Sequence, residues 1–159
     1  MSILNSNENR KIVLFSLDEP RYALYLSTVE RVVRAVEITP LPKAPDIVLG
    51  VINFQGEIIP VIDIRDRFHL PGRERDLEDQ FIIAHTSKRL VVLAVDSVAG
   101  VYEIDTPQIV EVEGAFPYTD YISGIAKVDT RIILITDLEK FLSLDEEIIL
   151  NKALTGEAE

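Results

Sequence analysis

The chain has 159 residues, with 27 acidic and 16 basic side chains and a net charge of −11, which suits one compact unit of two subdomains and argues against nucleic acid or an anionic membrane surface as partner. It has no cysteine, so disulfides and thiolate chemistry are excluded. No basic-then-apolar leader is evident and the apolar runs are too short and interrupted to span a bilayer, so a soluble cytoplasmic protein without direct membrane insertion is expected.

Along the chain, residues 1–10 are expected to be loose. Val13-Leu14-Phe15 and Tyr22–Leu26 are apolar runs separated by polar Asp18-Glu19-Pro20-Arg21, which reads as a β-hairpin. Ser27 and Glu30 have capping-box spacing and predict a short helical turn. Three prolines between Thr39 and Pro45 make a stiff, extended connection. Gly50–Phe68, GVINFQGEIIPVIDIRDRF, reads as two strands around a tight turn at Gly56-Glu57. Asp63 ends the second of them and is positioned to cap a helical turn over Ile64–Phe68. The charged stretch Pro71–Asp79 starts at a Pro-Gly turn and marks a boundary.

The same order then recurs. Ile82-Ile83-Ala84 and Val91–Val95 flank Thr86-Ser87-Lys88-Arg89, and Asp96-Ser97-Val98-Ala99 takes the place of Ser27–Glu30. After a loop over Thr106–Tyr121, Gly124–Leu142 (GIAKVDTRIILITDLEKFL) repeats Gly50–Phe68 without a gap. Gly50 answers Gly124, Asp63 answers Asp137, and the turn Gly56-Glu57 answers Thr130-Arg131. Ser143 and Glu146 form a second capping-box pattern ahead of apolar residues at helical spacing.

An internal repeat of short strands predicts a mainly all-β fold of two small barrels with short helical turns. The expected organisation is one domain over 11–150. It comprises subdomains at about 11–70 and 80–142, a packed helix at about 144–154, and loose ends at 1–10 and 155–159. Near-continuous apolar runs such as Ile58–Ile64 and Ile132–Ile135 predict strands buried on both faces. Each half is too small to bury much core alone, so the two should share an apolar interface and unfold together.

The ionisable inventory is poor for catalysis. His69 and His85 are the only histidines, the first just past a strand end and the second beside a predicted hairpin turn, and zinc needs three or four convergent ligands. No Gly-rich phosphate loop is present, and no cofactor or metal is expected. Asp63 and Asp137 could form an acid–base pair in a small carboxylate-dependent hydrolase. Their identical repeat position fits twin helix caps better. A binding module remains, using sheet edges and apolar surface to hold other proteins.

LPKAPDIVLGVINFQGEIIPVIDIRDRF (Leu41–Phe68), preceded by Tyr22–Val29 and followed by Leu93–Val98, resembles the CheW family, the coupling proteins of bacterial chemosensory arrays. The resemblance spans about Lys11 to Leu150. It implies two SH3-like five-stranded β-barrels and a non-catalytic adaptor. Such an adaptor joins the cytoplasmic tip of chemoreceptors (methyl-accepting chemotaxis proteins) to the regulatory domain of a CheA-like sensor histidine kinase. Position by position, Val29 and Val98 match the receptor groove between the barrels, and Ile47, Val48 and Leu49 match the kinase-facing loop. Arg31 and Gln55 stand where the family usually carries Glu and Arg, a charged pair near the receptor and kinase surfaces. Glutamine cannot make the bidentate contacts of a guanidinium, and Arg31 would repel a basic partner group. The departure implies a divergent or dedicated pathway with compensating partners, or a pair that has drifted. A decoy that binds kinase or receptor without coupling them is an alternative reading.

Overall fold

The structure, a computed structural model, describes residues 11–72, 74, 76, 78–104 and 121–156. Of the expected loose ends at 1–10 and 155–159 and the loop over Thr106–Tyr121, residues 1–10, 106–120 and 157–159 lie outside the described residues.

The apolar runs become strands. β1 (Lys11–Leu17) and β2 (Glu19–Tyr25) form the first hairpin, and a 3-10 turn at Leu26–Thr28 leads to β3 (Val29–Arg34). β4 (Val48–Phe54) and β5 (Glu57–Ile62) form the next hairpin, followed by the short helix α1 (Ile64–Arg67). The second half gives β6 (Gln80–His85), β7 (Leu90–Val95), β8 (Ser97–Glu103), β9 (Ile122–Val128) and β10 (Arg131–Thr136). A 3-10 turn at Leu138–Lys140 and helix α2 (Leu144–Thr155) complete it.

Two five-stranded sheets result, ordered β8-β1-β2-β10-β9 and β3-β6-β7-β5-β4. The expected division into 11–70 and 80–142 is not how the strands sort. Each sheet takes the first hairpin of one half and the last three strands of the other. The chain leaves one sheet at Leu26–Thr28 and returns to it at Asp96, so β3 pairs with β6 and β8 with β1. The repeat identifies equivalent strands, but these two crossovers decide which strands pair. Neither half contains a complete sheet, a stronger reason for joint unfolding than a shared interface alone.

Burial falls into three apolar clusters. A central one joins both sheets, with Phe15, Leu24, Ile82, Leu93 and Phe141 among its members. One smaller cluster belongs to each sheet, around Ile133 in the first and Phe81 in the second. In β6 and β7 neighbouring residues alternate between clusters: Phe81 and Ile83 face one, Ile82 and Ala84 the other. This two-sided burial explains their unbroken apolar sequences. Ile58 and Ile132, expected inside, are 53% and 63% exposed. The parallel neighbours pair only from Val61 in β5 and Leu134 in β10, so each isoleucine lies on a strand end that projects beyond that neighbour.

Local signals fared unevenly. Ser143 caps α2 through Glu146 in a two-way capping box, Gly156 ends it in the left-handed conformation, and the helix's own Leu150 is fully buried. The hairpin turns fall one residue earlier than expected, at Gln55-Gly56 and Asp129-Thr130. Gln55 and Asp129 take positive φ, 53° and 57°, which two-residue hairpin turns favour. Ser27 is not a cap: the 3-10 turn begins after Tyr25 without a side-chain cap, and Glu30 already lies in β3. At Asp96 a bend leads directly into β8 rather than into a helical turn.

Candidate docking surface

Both crossovers bring a valine to the join between the sheets. Val29 opens β3 immediately after the 3-10 turn, in which Thr28 Oγ1 donates to the Tyr25 carbonyl at 2.8 Å. Val98 is the second residue of β8, and its N–H donates to Gln80 Oε1 at 2.8 Å. Both are half-buried against the central cluster. Each has exposed residues close by, Ser27 and Glu30 in one case and Ser97 and Ala99 in the other. They belong to the inter-sheet core and also reach its edge.

The second crossover is held by charge. Arg65 Nη2 donates to Asp18 Oδ1 at 2.8 Å and to Asp96 Oδ2 at 2.9 Å. The adjacent Asp18 carboxylate is the largest influence on Arg65 and raises its pKa above the ordinary arginine value. Arg67 pairs with Glu146 of α2 and stands over the Tyr121 ring, 5.5 Å from its centroid. Arg89 reaches Glu147 at 3.2 Å. These pairs attach α2 to the sheets.

Beside the join lies the tip of the β4–β5 hairpin. Gly56 N–H donates to Asn53 Oδ1 at 3.0 Å, which fixes the turn. Gln55 is exposed there, and Arg31 of β3 lies over the ring of Phe54. Arg31 and Gln55 are thus both neighbours of Phe54, one in space and the other in sequence. Ile47 and Val48 sit elsewhere: both are buried in the central cluster, and the Ile47 carbonyl accepts the Asp63 N–H at 2.7 Å. Their side chains are core, because the chain enters β4 there, and they do not form the expected kinase-facing surface. Leu49 is half-buried against the second sheet's own cluster.

Asp63 and Asp137 are each engaged locally. Asp63 caps α1 by accepting the Asp66 N–H at 3.3 Å, and Asp137 caps the Leu138–Lys140 turn by accepting the Glu139 N–H at 3.2 Å. His85 Nδ1 stands 2.6 Å from Glu30 Oε2, and His69 occupies a left-handed position just after α1. Among the described residues no cluster of three or more His, Asp or Glu could hold a metal ion, and no helix is long and apolar enough to cross a membrane. Sequence reading missed Arg65, Asp18, Asp96 and Phe54. A faint signal existed for the first two: Arg65 and Glu139 share a repeat position, as do Asp18 and Ser87.

A model of the CheW-like domain matches residues 11–146. The chemotaxis protein CheW of Thermotoga maritima is 30% identical over 144 residues, covering 91% of this chain and 93% of that protein. Its counterpart in Treponema pallidum is 29% identical over 153 residues, covering 89% and 86%. Among solved structures, the scaffolding protein TtCheW of Thermoanaerobacter tengcongensis is similar with a TM-score of 0.80 at 35% identity, over 87% of this chain and 95% of that one.

Proposed function

The chain belongs to the CheW-like domain family, and from that premise we propose that it is a chemotaxis coupling adaptor that joins chemoreceptors to a CheA-like sensor histidine kinase. The observation that carries this reading is the family match over 11–146 together with the similarity to a scaffolding protein across nearly its whole length. In this reading the two sheets correspond to two SH3-like barrels, and the protein works in the cytoplasm, recruited to membrane-bound receptor arrays. The receptor hairpin lies along the join where Val29 and Val98 reach the edge of the central cluster. The regulatory domain of the kinase docks on a barrel flank, with Leu49 the member of Ile47–Leu49 best placed to contribute. The adaptor works by binding, without turnover. The local capping roles of Asp63 and Asp137 support that view.

Co-sedimentation with receptor-containing membranes, with and without the kinase, tests the proposal. The chain should pellet with receptors and pellet more fully when the kinase is present. A chain that stays in the supernatant in both cases would remove the array reading.

A further inference from the structure

Two polar contacts related by the internal repeat join the sheets. In each half, the residue two positions after the capping aspartate reaches back to that half's own first hairpin. In the first half this residue is Arg65, which bonds Asp18 in the β1–β2 turn. In the second it is Glu139, whose carboxylate accepts the Ser87 N–H at 2.6 Å and the Ser87 hydroxyl at 3.0 Å in the β6–β7 turn. Because the strands are exchanged, α1 follows a strand of one sheet while the β1–β2 turn belongs to the other. The same holds in reverse for Glu139 and Ser87, so each contact spans the two sheets.

The two staples differ in chemistry and reach. Arg65 is 12% exposed and holds both Asp18 and Asp96, while its Nη1 donates to the Pro71 carbonyl at 3.0 Å. Asp96 accepts the Asp18 N–H at 2.6 Å and donates its own N–H to the Ser16 carbonyl at 2.9 Å. It is also the one residue between β7 and β8, where the chain crosses back, and Val98 lies two residues on. The planar guanidinium suits this arrangement because it directs charge-assisted bonds to two carboxylates at once. The Glu139–Ser87 contact joins a carboxylate to a serine at the opposite hairpin.

We propose that Arg65 is a positioning residue for the docking surface. By holding Asp96 it fixes where β8 begins, and so where Val98 stands relative to Val29. The repeat-related Glu139–Ser87 contact does not share that role. The proposal rests on the reading of the Val29–Val98 join as the receptor groove.

The test uses the full-length wild-type chain and its R65M, R65K, D18N and S87A variants. Amide hydrogen exchange is measured alongside affinity for the purified cytoplasmic hairpin of a chemoreceptor from the same genome. R65M should speed exchange at Asp18 and Asp96 by about tenfold or more and weaken hairpin binding by a similar factor. R65K, which keeps the charge but loses the fork, should fall between R65M and wild type. S87A should speed exchange at Ser87 and leave binding intact. If R65M fails to fold, D18N decides, because it removes a partner whose side chain is 54% exposed: weaker binding with faster exchange at Asp96 supports the proposal. Unchanged binding despite a loosened crossover overturns it, as does equal loosening of both hairpins by R65M. A wild-type chain that does not bind the hairpin sinks the groove reading instead, and the exchange data still decide whether Arg65 holds the crossover.

Discussion

The guanidinium of Arg31 stands over the ring of Phe54, 5.6 Å from its centroid. Arg31 lies on β3 and Phe54 on β4, the two outer strands of the second sheet. A side chain from each edge strand of that sheet therefore meets the other, and the Thr39–Val51 bridge joins the segment after β3 to β4. The contact brings a cation to Phe54, the residue before Gln55 at the hairpin tip.

Exchanging the charges at Arg31 and Gln55 should change partner choice more than stability. An exposed cation–π contact is worth about 0.5–1 kcal/mol, so the R31E/Q55R double variant should lose only that much in urea unfolding. Reversing a charge at an interface changes affinity by more, commonly several kcal/mol when like charges meet. The double variant should bind the kinase regulatory domain of its own genome more weakly and that of an unrelated chemotaxis system more tightly. Equal wild-type affinity for both kinases would show that the pair has drifted rather than specialised.

Gly50 should tolerate no side chain. Its φ is +152°, and a Cβ there would meet the Thr39 carbonyl oxygen at 2.4 Å and Ile38 Cγ2 at 2.7 Å. Thr39 cannot easily yield, because it exchanges two backbone hydrogen bonds with Val51 at 2.9 and 2.8 Å. Gly50→Ala should cost about 2–3 kcal/mol through crowding and backbone strain. Gly56→Ala, with open space around it but φ +86°, should cost roughly 1 kcal/mol. Chemical denaturation of the two variants would check the order, and equal costs would refute the steric argument.

What could be read in advance follows from how local each cause is. The strands were legible because two-sided burial demands unbroken apolar runs, as in Phe81–Ala84. The Asp63, Asp137 and Ser143 caps were legible because a cap bonds within a few residues of itself. The strand exchange was not legible, since the repeat shows that β1 resembles β6 but carries no information on which of them β3 will join. Ile47 and Val48 were misplaced for a similar reason: their apolar character fits a docking loop or a core entry equally well, and only the position of β4 separates the two. The exposure of Ile58 and Ile132 depends on where a neighbouring strand begins, a non-local fact.

The twin caps give a prediction that separates structure from catalysis. Asp63 and Asp137 each accept one backbone N–H at the start of a short turn, and losing such a cap costs about 1 kcal/mol. Asp63→Ala and Asp137→Ala should each lower stability by that order in urea titrations. Receptor co-sedimentation should be retained at temperatures well below unfolding. A much larger loss of binding than of stability in either variant would assign that aspartate a direct role.

Acid should loosen α2 before the rest of the fold, through Glu146. Burial is the largest single influence on this carboxyl and pushes its pKa up. The Ser143 N–H, donated to Glu146 Oε1 at 2.8 Å, and the Arg67 guanidinium together outweigh burial and hold the pKa below that of an ordinary glutamate. A carboxyl depressed in the folded state stabilises the fold fully above its unfolded-state pKa, and that contribution is lost as pH falls through the folded value. Arg67, whose own pKa is raised, stays charged throughout this range, so the titrating partner is the glutamate. Glu146→Gln should therefore lower stability at pH 7 and flatten the decline below about pH 5. The amide of Glu147, bonded to the Ser143 carbonyl at 2.9 Å, should report the loss in hydrogen exchange as the wild-type pH falls. Parallel acid limbs for wild type and E146Q would show that other carboxylates govern the transition.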